Sequence, residues 1–182
     1  MIAEIGHFAL ILALVLSVVQ CVLPLVGAAR GIGSWMALAR TAAYANALFL
    51  TISFGTLAYS FYISDFTLLN VASNSNSLLP WFYKVAATWG SHEGSILFWA
   101  LMLTWWGFLV ALTSRKLPQE TVARVLGVMG FITAGFVAFM LFTSNPFLRL
   151  FPAAPEGADL NPLLQDPGMV FHPPLLYMGY VG

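Results

Sequence analysis

The stretch "FALILALVLSVVQCVLPLV", residues 8–26, runs nineteen positions without a charged side chain. As a helix it would be about 28 Å long, close to the ~30 Å of hydrocarbon in a bilayer. Three more runs resemble it: Thr41–Ile63, Ser95–Leu112 and Val122–Phe142. None shows the strict apolar–polar alternation that the strands of a membrane barrel require, so helices are expected. The whole chain agrees. Of its 182 residues 60% are hydrophobic and 8% are charged, and mean hydropathy is +0.86. An ordinary soluble domain carries about 25% charged residues. The expected fold is an all-α integral membrane bundle with four complete crossings and the start of a fifth. It forms a single membrane domain over residues 1–182.

Net charge is zero, so no basic field points to nucleic acid. Cys21, the only cysteine, can form neither an internal disulfide nor a CxxC site and reads as a small packing residue. The opening "MIAEIGH" has an acid and no Lys or Arg, and the run after it is too long for a cleaved signal peptide. Charge sets the orientation. Arg30, Arg40, Arg115, Lys116 and Arg124, five of the seven basic residues, fall between or just inside runs joined on one side. By the positive-inside rule that side is cytoplasmic. The N-terminus and the loops 64–94 and 143–172 are then outside, and loops 27–40 and 113–121 inside.

The outer loops carry the unusual chemistry. In 64–94 a polar patch, "SNSNS", precedes "LPWFYKVAATW", which sets Trp81, Phe82, Tyr83 and Trp89 around Lys84. At helical spacing this segment lies along the membrane interface as an aromatic belt, or offers a platform to a flat apolar ligand. Loop 143–172 holds five of the ten prolines, which favours extended and turn-rich backbone. Its many apolar residues argue against disorder. No internal repeat or soluble domain is visible.

"WGSHEGS", Trp89 to Ser95, contains a His–Glu pair but lacks the second histidine of a zinc-protease helix; position 96 is Ile. His92 and Glu93 read as polar residues at a helix entrance, where an acid favours the positive end of the dipole. Gly90 and Gly94 form a small-xxx-small pair that suits close helix approach. His172 precedes two prolines in "FHPP". If Pro173 opens the fifth helix, His172 sits at or just before its N-cap, on a stiff stem. Imidazole is a good axial ligand for iron, although a lone interfacial histidine is more often a hydrogen-bonding surface group. His7 is less constrained. No Ser-His-Asp, P-loop or dinucleotide motif occurs.

Four stretches together resemble one family. "MIAEIGHFAL", "FTLLNVASNSNSLLPWFYKVAATWGSHEGSILFW", "LFTSNPF" and "DLNPLLQDPGMVFHPPLLYMGYVG" look like the N-terminal part of the CcmF family of cytochrome c maturation proteins. The NrfE paralogues are the nearest confusable group. The resemblance implies a haem lyase component that acts with CcmH. It implies haem taken from the chaperone CcmE and positioned at the outer membrane face for covalent attachment to an apocytochrome c. The site is then periplasmic on a bacterial cytoplasmic membrane, or lies on the mitochondrial inner membrane in a split organellar form. It further implies that His172, in the family's "FHPP" motif, is one of two external axial haem ligands. Trp89, His92 and Glu93 become candidates to stand around that ligand, and Trp81 a candidate to pack the porphyrin.

Family members are several times longer. Their tryptophan-rich WWD segment, second external histidine and transmembrane haem b histidines are expected in the remainder of the CcmF chain. "PPLLYMGYVG" is too short to cross the bilayer, so a truncated fragment or one piece of a split protein is expected. Two other classes stay open on the residues alone: a small-solute permease subunit, or a quinone-reactive respiratory subunit.

Alkaline phosphatase fused after Ser75 or Pro155 should be active, and after Gly33 or Pro118 inactive. The reverse pattern would discard the orientation.

Overall fold

A helix that crosses hydrocarbon must pair its own backbone, and the chain does so in four long helices. The computed structural model describes residues 1–182, the side chain of Met169 excepted. In order, the helices are α1 (Ile2–Arg30), α2 (Gly33–Tyr62), α3 (Leu69–Asn74), α4 (Trp81–Gly90), α5 (His92–Thr113), α6 (Gln119–Phe142) and α7 (Pro167–Val181). The helices α1, α2, α5 and α6 are long and apolar enough to span a membrane, α5 together with the short turn Ser114–Lys116 that continues it. Among the described residues there is no strand beyond an isolated bridge between Leu68 and Arg149.

Helix extends well past the apolar runs. The expected inner loop 27–40 shrinks to a turn at Gly31 and Ile32. Gly31 adopts the left-handed conformation, φ 69°, and its N–H closes on the Gly27 carbonyl. Only glycine enters that region without steric cost, so this residue lets α1 reverse directly into α2. Arg30 therefore ends α1, and Arg40 lies two turns inside α2. The alanine-rich sequence on both sides favours helix strongly enough to absorb what composition marks as loop.

A second correction concerns the last helix. The outer loop was expected to run to residue 172, with Pro173 opening a helix. Instead Asp166 is the N-cap, its Oδ1 accepting from the Gly168 N–H at 2.7 Å, and Pro167 takes the first position. A carboxylate cap followed by proline is a strong helix start, and it wins over the double proline further on. Pro173 and Pro174 thus fall inside α7, where each removes an intrahelical donor. His172 lies in the second turn of α7, not at its cap. The patch "SNSNS" is also split: its first two residues end α3 and the rest form the turn.

The helix α1 packs against α2 and α6, α2 against α5, and α5 against α6. The buried face of α1 is made of small and polar residues: Ala3, Gly6, Ala9, Ala13, Ser17, Gln20 and Gly27, with Leu10. Its large residues Ile5, Phe8, Ile11, Val15, Val18 and Val22 face outward. Lipid is as apolar as leucine, so close backbone approach and internal hydrogen bonds hold such helices together. Gln20 donates to the Leu126 carbonyl at 2.9 Å. The Asn46 amide donates to Gln20 Oε1 at 2.7 Å or, turned over, to the Ala13 carbonyl at 3.0 Å; both tie α2 to α1. Larger side chains, among them Leu50, Leu57, Phe61, Leu97 and Met140, fill the half of the core nearer the 64–94 and 143–172 segments. Alanines 28, 39, 43, 111 and 123 dominate the inner end.

The segments 64–94 and 143–172 interlock into one cap at the same end of the bundle. Leu69 N–H donates to the Leu148 carbonyl, Leu150 N–H to Thr67 and Ala158 N–H to Ala72. Arg149 pairs with Glu4 at the start of α1 and also donates to Thr67. Lys84 donates to Ser64 Oγ at 2.8 Å and to the Ser77 carbonyl at 3.0 Å. Glu156 binds the Ser77 hydroxyl at 2.6 Å and accepts the N–H groups of Ser77 and Gly157 at 2.9 Å.

The Ser77 hydroxyl, aided by the Gly157 and Ser77 amides, holds the Glu156 carboxyl below the usual glutamate range. A lowered pKa in the folded state stabilises this contact above the ordinary value and loses it as pH falls through the lowered one. Cleavage of the outer loops by an acid-active protease should therefore rise only at pH below the usual glutamate range. Glu156→Gln should remove that step. An unchanged pH profile in Glu156→Gln would exclude the carboxylate as its source.

Candidate functional site

The segment "WGSHEGS" folds as a corner with a single hinge residue. Ser91 is at once the C-cap of α4 and the N-cap of α5, in extended conformation. Its hydroxyl donates to the Thr88 carbonyl at 3.0 Å and accepts from the Gly94 N–H at 3.2 Å. One side chain thus closes one helix and opens the next. A Cβ on Gly94 would overlap the Thr88 carbonyl, so this tight corner requires glycine there. The two glycines do not form a common helix seam, because Gly90 instead faces Leu160 and Leu164.

The corner forms one wall of a cavity of about 410 Å³. Trp89 and Gly90 come from α4, His92 and Ser95 from α5, and Pro173 and Tyr177 from α7. Leu160 and Leu164 close it from the outer loop. Trp89 stacks on Phe98, with ring centroids 5.9 Å apart and planes at 30°. Its indole N–H is buried without a hydrogen-bond partner. A donor left unpaired in an apolar setting costs about 1–3 kcal/mol, so this wall can still accept a polar contact. His92 is the first residue of α5 and exposed. Its Nδ1 lies 3.1 Å from Ser144 Oγ, which anchors the ring to the end of α6.

The structure therefore brings Trp89 and His92 together and leaves the other candidates apart. Glu93, half-buried, is next along α5 but does not line the cavity. Trp81 is at the far end of α4, exposed and edge-on to Phe82. His172 is exposed on α7, one residue from Pro173 in the cavity wall but outside the lining. Two contributors were not foreseen. Ser95 Oγ and Tyr177 Oη are 2.6 Å apart and lock α7 to α5. Tyr177 also meets Phe98 edge-on at 5.6 Å. Lower down, the Trp106 indole N–H donates to the Met178 carbonyl at 3.2 Å. Ser95 lies one turn beyond His92 and so on its face, which the sequence allows one to infer once α5 is known to begin at residue 92. Tyr177 joins them only because α7 begins at residue 167.

Comparison with known proteins bears on the same region. Residues 89–182 match the family model described as Cytochrome C assembly protein, and the match begins at Trp89, on the corner itself. The whole chain aligns with the cytochrome c-type biogenesis protein CcmF of Pseudomonas aeruginosa at 58% identity, covering 28% of that protein. With CcmF of Escherichia coli identity is 53%, again over 100% of this chain and 28% of the relative. With NrfE of Haemophilus influenzae it is 49%, over 100% and 29%. A solved structure of the cytochrome c heme lyase CcmF superposes with TM-score 0.86 at 27% identity, over 100% of this chain and 28% of that one. The chain thus spans a little over a quarter of the length of these curated relatives. With more than half of its residues inside the family match, the chain belongs to the cytochrome c assembly protein family, and in it resembles CcmF more closely than NrfE.

Proposed function

We propose that this chain is part of a membrane haem lyase for cytochrome c maturation, and that His172 holds the haem iron. One observation carries the assignment of the residue. The His172 ring is exposed in the second turn of α7 and, among the described residues, engages in no hydrogen bond. Its nitrogens are free for a metal. Phe171, Leu175 and Leu176 on the same helix are also exposed, an apolar surface suited to a flat macrocycle. Among the described residues no three His, Cys, Asp or Glu side chains converge. Iron held in a porphyrin needs only axial ligands, so one imidazole and a partner elsewhere fit.

Haem, when bound, supplies the iron and the vinyl groups to which the thiols of an apocytochrome c add. The residues of this chain orient it. The helix start at Asp166 and Pro167 fixes the direction of α7. The Ser95–Tyr177 contact and the Trp106–Met178 bond hold α7 against α5, and with it His172. Trp89 and His92 line the neighbouring cavity opposite Pro173 and Tyr177 and would support α7 from there rather than hold the iron. Glu93 and Trp81 would act from further away, at the α5 entrance and the exposed end of α4. The protein supplies position and no nucleophile of its own. The partners of this reading are apocytochrome c, a haem donor of the CcmE kind, CcmH and the rest of the chain. The working face is periplasmic on a bacterial inner membrane.

The test uses the complete protein. His172→Ala should lose most externally bound haem and reduce covalent cytochrome c, while haem bound through other helices stays. His172→Gly should regain part of both with added imidazole, which can occupy the vacated axial position. His92→Ala should do less harm than either. Normal maturation in His172→Ala together with loss in His92→Ala would reassign the ligand to the α4–α5 corner.

A further inference from the structure

At the opposite end of the bundle a second cavity, about 270 Å³, lies between α2, α6 and the α5–α6 turn. Met36 and Arg40 line it from α2, Arg115 and Leu117 from the turn, and Gln119 and Val122 from α6. Arg40 is half-buried, and only one of its donors is engaged, Nη2 to the Ser114 carbonyl at 2.9 Å. Arg115 is exposed. Among the described residues neither guanidinium meets a carboxylate. The acid at this end, Glu120, is taken by Arg124 at 2.5 Å. Arg30 and Lys116 add to the uncompensated charge. Gln119 is the first residue of the 24-residue helix α6, whose free N–H groups and dipole also favour an anion.

We infer that this cavity binds the phosphate of an anionic phospholipid headgroup. Two arginines line this one cavity, and a guanidinium suits phosphate because it presents paired N–H donors. Arg40 lies two turns inside α2, near the end of a helix long and apolar enough to span a membrane, and basic residues so placed attract anionic headgroups. Apart from Gln119, whose amide donates to the Gly33 carbonyl at 3.0 Å, the rest of the wall is apolar: Met36, Ala37, Leu117 and Val122, with Leu117 itself exposed. A ligand with a charged head and acyl chains satisfies both surfaces, whereas free phosphate satisfies only the first.

The complete protein would be placed in phosphatidylcholine nanodiscs with a minor fraction of phosphatidylglycerol, and retained lipid counted by native mass spectrometry. The wild type should retain phosphatidylglycerol selectively. Arg40→Gln with Arg115→Gln should weaken retention about thirtyfold, on the scale of about 1 kcal/mol per basic residue near an anionic surface. Arg115→Gln alone leaves the Arg40–Ser114 bond intact. It should show a partial loss of about fivefold even if the double variant folds poorly. Arg124→Gln, outside the cavity, should retain the lipid. Equal retention in Arg115→Gln and wild type would overturn the proposal. So would displacement of phosphatidylglycerol by millimolar inorganic phosphate, which would identify a free-anion site instead.

Discussion

Lipid gives helices no hydrophobic reason to associate, and this constraint explains most of the architecture. The faces that meet are those that permit close approach or exchange a hydrogen bond. Gly127 and Gly130 of α6 show this directly. A Cβ on Gly130 would come within 3.0 Å of the Cys21 nitrogen and the Gln20 side chain on α1. At the same level Gln20 and Asn46 are completely buried or nearly so, 4% and 0% exposed, and bonded to one another or to backbone. Pairing of this kind offsets most of the cost of burying polar groups in a membrane bundle. On α1 the large aliphatic and aromatic side chains are left for the surface, where they meet lipid at no cost.

This inversion decides what could be read from sequence. The number and position of the crossings were legible, because uninterrupted apolar length is a strong signal. The inward faces were not. Both faces of α1 are apolar, and what distinguishes them is size, Ala3, Ala9 and Ala13 against Ile5, Phe8 and Ile11. Helix ends were the weakest point, since charge and proline were taken as loop signals. Arg40 is helical because α2 begins at a two-residue turn. His172 is helical because the Asp166–Pro167 start overrides Pro173.

The candidate site was legible in its residues and not in its shape. "WGSHEGS" and "FHPP" marked Trp89, His92 and His172 at once. That Trp89 and His92 share a cavity with Tyr177, while His172 stays outside its lining, depends on contacts 82 positions apart such as Ser95 to Tyr177. The corner at Ser91 contributes rigidity here. Helices α4 and α5 share one cap residue, so neither can turn without the other, and the Trp89 and His92 walls keep a fixed relation.

The bond from Arg149 to Glu4 joins residues 145 positions apart. A ribosome making roughly 5–20 residues per second needs about seven to thirty seconds to cover that distance. For most of that interval α1 and α2 are already made, and the cap that Arg149 fastens does not yet exist. Synthesis of these helices and closure of the cap are therefore separate events in the birth of the protein. The start of α1 and the loop after α2 gain their cap contacts only when the segment beyond α6 has been made.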